Sequence, residues 1–540
     1  MKRTSLSLVL LFTVLVLSGC QQSEKKELLL NALFTDHMVL QQKKEVAFWG
    51  SYTPNEEITV HGSWGSESTC VADAFGQWKL SIATPKAGGP YEVTIRTKST
   101  TISIKDVLIG EVWLASGQSN MEMDFDYCCN TTDFSELERA NANYPNIRMI
   151  NVKKQLSLTP VQEFKGNWKR AVGNTISPFS AAAYFFAKRL HKELNVPVGI
   201  IHASWGGTDI EAWNSREQLN TLGFMSDVMD NYDKLVEDAS KSNVWFSQFE
   251  SAKSPSDVWY LFLEDPLGAP EKWKSFDFKD LDYITSSDID YDNWKQIELP
   301  GSIDNIFETN DFDGAILIRK SFSLKEIKGI YSLSLGAVSD MDFTYINGEK
   351  IGSSMGKLSR ETKTYEIPTN ILKVGVNNII IRVVNQYKEG NIGSISLLSS
   401  ESSSVDLTGT WNYRVSAEAY IPLESYSWPY IDFYFYDNES IDFSKRPVLA
   451  QLNKNSTSSL FNGMINPLVP YNIKGTIWYQ GENNVPRFKE YEQLFPALIT
   501  DWRNQWARDF PFYFVQIAPF EYHNGLSSSL RDAQRKTLKL

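Results

Sequence analysis

VWLASGQSNMEM, Val112 to Met123, is an apolar run that breaks into Gly117-Gln118-Ser119-Asn120 with no charge or proline at the break. LIGEVWLAS, from Leu108 to Ser116, has the near-continuous apolar character of a strand covered on both faces. VPVGIIHAS, KGTIWYQG and PFYFVQIAP share that character, and helical patterns accompany them. SPFSAAAYFFAKRLHKELN predicts a helix with Ser177 as N-cap and Pro178 at its first position, carrying Phe179, Ala182, Phe186 and Leu190 on one face. VPRFKEYEQLFPALITDWRNQW places Tyr491, Leu494, Leu498 and Trp502 on one side of a second helix, with Pro496 as a kink. Apolar strands with such helices predict a doubly wound α/β domain, whose ligands gather at the carboxyl ends of the strands.

The sequence on either side of this pattern has a different texture. From Leu28 to about Ile104, KEVAFWGSY, EEITVHGSW, GQWKLSIAT and PYEVTIRTK are short strands punctuated by Gly and Pro, as in an antiparallel sandwich. A second β-rich interval holds GAILIRKSFSL, YSLSLGAVSDMDFTYINGEKIG and NNIIIRVVN, with a hairpin signal at Asn347-Gly348. The expected organisation is an N-terminal β-sandwich over 28–105, an α/β domain in two parts over 106–253 and 412–540, and a β-sandwich inserted over 254–411. Exposed loops tolerate such insertions because the two ends of a domain often lie close together.

Composition excludes some functions. The 540 residues are enough for about three or four domains. With 42% hydrophobic residues and 16 tryptophans, a large core is available. A net charge of -12 argues against a nucleic-acid partner, since phosphate binding needs clustered Lys and Arg. No phosphate loop, metal-ligand cluster or basic stripe is present, so no cofactor or metal is expected.

Lys2 and Arg3 precede LSLVLLFTVLVL, a run too short for a comfortable membrane span and laid out like a secretory signal. It ends in Leu17-Ser18-Gly19-Cys20, which resembles the lipobox of bacterial lipoproteins. That resemblance implies a signal peptide over 1–20, a lipidated Cys20, a linker over 21–27, and an exported protein at the periplasmic or cell surface. The lipid anchor is then its only membrane contact. Cys70, Cys128 and Cys129 remain, and neighbouring cysteines such as the last two are poorly placed to bridge each other.

Three apolar runs end in polar, glycine-containing clusters: Gly117-Gln118-Ser119-Asn120, Trp205-Gly206-Gly207-Thr208, and Tyr479-Gln480-Gly481-Glu482-Asn483. Each alone reads equally well as ordinary turn chemistry. If the strands are parallel, however, all three meet at one edge of the sheet. A serine hydroxyl, glycine N–H groups and side-chain amides brought together there are the parts of an acyl-transfer site.

VWLASGQSNMEM, IIHASWGGTDIEAW, and FNGMINPLVPYNIKGTIWYQGEN followed by YEQLFPALITDWRNQW together resemble the sialate O-acetylesterase family of the SGNH (GDSL) hydrolases. LGAVSDMDFTYINGEKIG and GTWNYRV resemble that family's galactose-binding-like insert. The resemblance implies a flavodoxin-like α/β fold and removal of O-acetyl groups from sialic acids without a metal. Acetylxylan or another O-acetylated glycan is the alternative substrate, and a non-catalytic glycan-binding lipoprotein the alternative function. Residue by residue, it implies Ser119 as the nucleophile, Gly207 as an oxyanion donor, Gln480 or Asn483 as a side-chain donor, and Glu482 as an orienting carboxylate. Ser116 lies inside the apolar run and is not at the nucleophile position.

The family also carries an Asp and a His in a D-x-x-H segment after the part represented here by SSLRDAQRKTLKL. None of His37, His61, His191, His202 and His523 lies in such a segment. His37, His61 and His191 read as structural, and His202 as a satisfied core histidine at a strand end. His523 follows a strand end and is the one to test. The expectation is that the sequence is a piece of a longer protein or that the family activity is lost.

Overall fold

The strand that carries the opening motif is the axis of the molecule. In the computed structural model, β1 (Thr101–Gly117) is 17 residues long and belongs to two architectures in turn. The residues described are 27–125, 133–255, 269–286, 291–307, 312–355, 361–386, 390–401, 405–420, 431–436, 441–450, 452–521 and 525–540. Cys20, Cys128, Cys129 and His523 therefore lie outside the described residues.

The first half of β1 alternates in burial and pairs antiparallel with Gly88–Arg96, which pairs with Glu57–Gly62 and through it with Ser66–Val71. A three-stranded antiparallel sheet of Leu29–Leu30, Glu45–Ser51 and Gln77–Ala83 supplies a second layer, and both layers share one apolar core. All four strands expected in this region are present. The expected boundary near residue 105 falls inside β1, where Asp106 has a φ of 54°. Its carboxylate accepts hydrogen bonds from Arg148 and Arg170 and lies 2.6 Å from His37 Nδ1, which holds it down near pKa 2. His37 is thus part of the brace that fixes the passage from sandwich to α/β sheet.

From Glu111 onward β1 is fully buried and pairs in parallel on both sides. The parallel sheet contains β1, β2 (Asn143–Asn151), β3 (Val198–Ser204), β4 (Gly475–Tyr479) and β5 (Phe512–Phe514), in the spatial order β2-β3-β1-β4-β5. Lys169–Val172 adds an antiparallel edge outside β2. The 2-1-3-4-5 order of flavodoxin-like sheets is modified here, because β3 inserts between β2 and β1. All seven residues of β3 are buried, whereas β5 is a short, partly exposed edge strand.

α1 (Ser119–Glu122) follows β1 directly, and α2 (Ala181–Leu194) packs against β2 and β3. The N-cap of α2 is Ser180 rather than Ser177. The Ser180 hydroxyl accepts from Ala183 N–H at 3.1 Å, while Ser177 closes the preceding 3₁₀ turn. The buried face is consequently Ala183, Tyr184 and Ala187, with Ala182, Phe186 and Leu190 only half-buried beside it. α3 (Phe488–Gln505) runs through Pro496 and buries Tyr491, Leu494, Leu498 and Trp502 as expected. α4 (Ser527–Lys536) packs on α3.

Between the two parts of this sheet lies an eight-stranded antiparallel sheet, with a four-stranded sheet of Tyr331–Leu335, Lys363–Ile367, Ile395–Ser399 and Val405–Asp406 beside it. Apolar residues cover both faces of the larger sheet. The hairpin at Asn347-Gly348 forms with φ of 50° and 88°, the conformation a tight two-residue turn requires. The expected end of the insert at 411 cuts a strand, Gly409–Tyr420, and the sheet continues through Asp432–Phe435. Its first strand, Ser251–Lys253, also precedes the expected start at 254. GTWNYRVSAEAY belongs to this sheet because its backbone pairs with Gly314–Leu324 and with Lys295–Leu299.

Candidate active site

Register brings the three polar clusters together. Gly117 pairs with Ser204 on β3 and with Tyr479 on β4, so the three strands end level and GQSN, WGGT and QGEN leave the sheet side by side. The order β3-β1-β4 places the chain's change of winding direction there, where open α/β sheets bind ligands. Gly117 is required by this closeness. Its φ is 140°, and a Cβ on it would lie 2.1 Å from the Tyr479 carbonyl oxygen.

The backbone of Gln118 is anchored to β4, its N–H donating to Tyr479 O at 2.9 Å. Its buried side chain accepts from the Gly481 N–H at 3.2 Å. The next residue is then pushed outward: Ser119 is exposed, while Gln118 and Met121 are buried. The Ser119 hydroxyl and its N–H have no hydrogen-bond partner among the described residues. Ser116 is fully buried, and its hydroxyl is also without a partner. Burial separates the two serines, since Ser119 is open to solvent and Ser116 is not.

Gly206, not Gly207, packs against the serine. A Cβ on Gly206 would lie 3.2 Å from Ser119 Cβ and 2.9 Å from Glu122 Oε2. The Gly206 N–H donates to the Glu122 carboxylate, which also pairs with Lys154. Gly207 has a φ of 68°, and its N–H has no partner among the described residues. Of the two glycines, Gly207 therefore keeps a backbone donor to spare.

The QGEN side chains are placed differently from one another. Gln480 is fully buried, and its amide donates to Thr208 O at 3.0 Å and to Asn484 Oδ1 at 2.7 Å. Both amide hydrogens are used inside the protein, so Gln480 is a brace between WGGT and QGEN and has no donor left for an oxyanion. Asn483 is exposed, and its amide donates to Asp209 Oδ1 at 2.5 Å. Glu482 accepts from Asn120 Nδ2 at 2.7 Å, tying the residue after Ser119 to the QGEN turn. Burial raises the Glu482 pKa, and its second oxygen is buried without a partner. Sequence reading missed Asn484, which accepts from Ile210 N–H at 2.9 Å and donates to Glu211 at 3.0 Å. An extra asparagine after a glycine turn gave no signal, because turns use asparagine freely.

Of the histidines, His202 is buried and satisfied at both nitrogens. Nδ1 lies 3.0 Å from Asn151 Oδ1 and Nε2 lies 2.6 Å from Ser204 Oγ. Burial lowers its pKa to about 4, so it is neutral near pH 7. His191 bonds to the Val196 carbonyl, and His61 sits in the N-terminal sandwich opposite Glu67. None of these histidines, nor His37, hydrogen-bonds to Ser119.

A family model described as "Carbohydrate esterase, sialic acid-specific acetylesterase" matches residues 109–257. This segment runs from the middle of β1 past the WGGT turn. Sialate O-acetylesterase of Mus musculus is 34% identical over 206 residues, covering 35% of this chain and 38% of that protein. The Homo sapiens enzyme is 32% identical over 226 residues, covering 38% of this chain and 43% of that protein. This chain is thus similar, over a little more than a third of its length, to curated sialate O-acetylesterases. The matched part spans about two fifths of the length of these curated relatives. Among solved structures, a carbohydrate acetylesterase from Xanthomonas citri superposes with a TM-score of 0.49 at 21% identity, over 95% of this chain and 67% of that one. The family segment thus includes two of the three converging turns, GQSN and WGGT.

Proposed function

We propose that this chain acts as an exported carbohydrate esterase that removes O-acetyl groups from sialic acids through Ser119. The observation that carries the reading is the exposed, unbonded Ser119 hydroxyl, set at the level ends of three parallel strands with Gly206 packed against it and the uncommitted Gly207 N–H on the next residue. In this reading Ser119 Oγ attacks the acetyl carbonyl carbon and gives up its proton to a base. The oxyanion is met by the N–H groups of Ser119 and Gly207, each such donor contributing about 3 to 4 kcal/mol. Collapse breaks the bond from the acetyl carbon to the sugar oxygen, which takes the proton from the base and leaves as a hydroxyl, and water then hydrolyses the acetyl-serine to acetate and free serine. Export and anchoring through Cys20 complete the proposal.

The lack of a histidine on Ser119 among the described residues favours a second reading, a glycan-binding surface lipoprotein with a degenerate hydrolase domain. The two separate on hydrolysis of an aryl acetate, an O-acetylated sialic acid and acetylated xylan by the wild type and Ser119→Ala. A Ser119-dependent rate that is highest on the sialic acid supports the proposal. A Ser119-dependent rate highest on xylan selects the alternative substrate, and binding without any Ser119-dependent rate selects the second reading. For the anchor, a fatty-acid probe fed to expressing cells should mark the wild type and not Cys20→Ser.

A further inference from the structure

We propose that Lys454 is a specificity residue that binds an anionic group, the carboxylate of an acidic sugar, on the molecule whose ester faces Ser119. The inference rests on the esterase reading of that site and chooses between its acidic and neutral glycan substrates.

Lys454 reaches the nucleophile turn from a distant part of the chain. Its Nζ donates to the Gly206 carbonyl at 2.6 Å, and a Cβ on Gly207 would lie 2.8 Å from it. Gly206 is itself the residue packed on Ser119. The loop bearing Lys454 is held in place: Asn455 Oδ1 accepts from the Asp209 N–H at 2.9 Å, and the Asn455 N–H donates to Asn453 Oδ1 at 2.8 Å.

The charges around it do not cancel. Glu122 is the nearby carboxylate, and it is already engaged by Lys154 and by the Gly206 N–H. Lys154 in turn lies over the Trp205 ring, 5.3 Å from its centre. Lys454 forms no ion pair among the described residues, although it is half-buried in a protein of net charge -12. A partly buried ammonium left without a counter-ion is costly unless a partner arrives. A carbonyl takes one of its three N–H donors, and the other two remain for a ligand. A substrate carboxylate fits that need, and a neutral xylan chain offers nothing equivalent.

The test is calorimetric titration of the full chain carrying Ser119→Ala, which prevents ester turnover, with N-acetylneuraminic acid and with its methyl ester. The acid should bind roughly tenfold or more tightly than the ester at low salt, as expected for a hydrogen bond to a charged group. The preference should shrink as salt is added. Lys454→Met should bring the two ligands within about twofold of each other, and Lys454→Arg should keep the preference. A preference that survives Lys454→Met, equal binding of acid and ester, or no binding of either would overturn the proposal. Aryl acetate hydrolysis by the chain with Ser119 intact separates the two readings. A Ser119-dependent rate without an acid preference leaves the esterase standing and removes the role of Lys454; an acid preference without hydrolysis does the reverse.

Discussion

Two serines end adjacent parallel strands of the same sheet, and only one of them is open to solvent. Ser204, at the end of β3, has a histidine 2.6 Å from its hydroxyl, and both residues are buried. Ser119, just past the end of β1, has no histidine on it among the described residues but is exposed, with Gly206 packed against it. A Ser–His hydrogen bond taken alone would select Ser204 and His202. Burial reverses that choice: His202 bonds Asn151 on its other nitrogen and is held neutral, so it closes a polar gap in the core. Access, and not a visible base, is what sets Ser119 apart.

The sharpest way to break this contrast is to exchange the serines' fates. Ser119→Ala should remove essentially all esterase turnover, on the order of a million-fold if a base is engaged as in other serine hydrolases. Ser204→Ala should leave the rate within a few-fold and cost about 1 to 3 kcal/mol of stability, because His202 loses a buried partner. A urea titration beside an aryl acetate assay reads both. Gly117→Ala should destabilise by about 3 kcal/mol or more, through the positive φ and the clash with Tyr479 O.

The closed pair should also show in the pH dependence of stability. Burial pushes the His202 imidazole down from its ordinary 6.5 to about 4 on folding. Below pH 6.5 the unfolded chain takes up a proton that the folded chain refuses. Its stabilising contribution is therefore complete above pH 6.5 and is lost as pH falls toward 4. The loss amounts to about 3 kcal/mol at most. Replacing His202 with Gln should flatten that part of the urea midpoint against pH. The smallest effect expected is that of His523→Ala, which should leave any Ser119-dependent rate unchanged; a large loss would make His523 the base.

Much of this was legible in the sequence because burial on two faces leaves a strong trace. VPVGIIHAS reads as a covered parallel strand and is one, buried at every position. GQSN, WGGT and QGEN announced a shared edge because three glycine-rich breaks followed three such strands. The roles within the breaks were not legible. Gln480 and Asn483 are alike in donor chemistry, and only the fold shows one amide spent in the core and the other exposed. Asp106 hid a domain junction inside a strand, since a residue bent by distant arginines carries no local signal. The cap of α2 moved by three residues because Ser177 and Ser180 are equally good caps, and a preceding 3₁₀ turn decided between them.

The central claim is that Ser119, and neither Ser116 nor Ser204, is the reactive serine. The direct measurement is to treat the chain with an organophosphonate ester probe, digest it, and locate the adduct by mass spectrometry. The account predicts one adduct on the peptide containing Ser119, lost in Ser119→Ala and kept in Ser116→Ala and Ser204→Ala. An adduct that persists in Ser119→Ala, or that maps to Ser204, would contradict it.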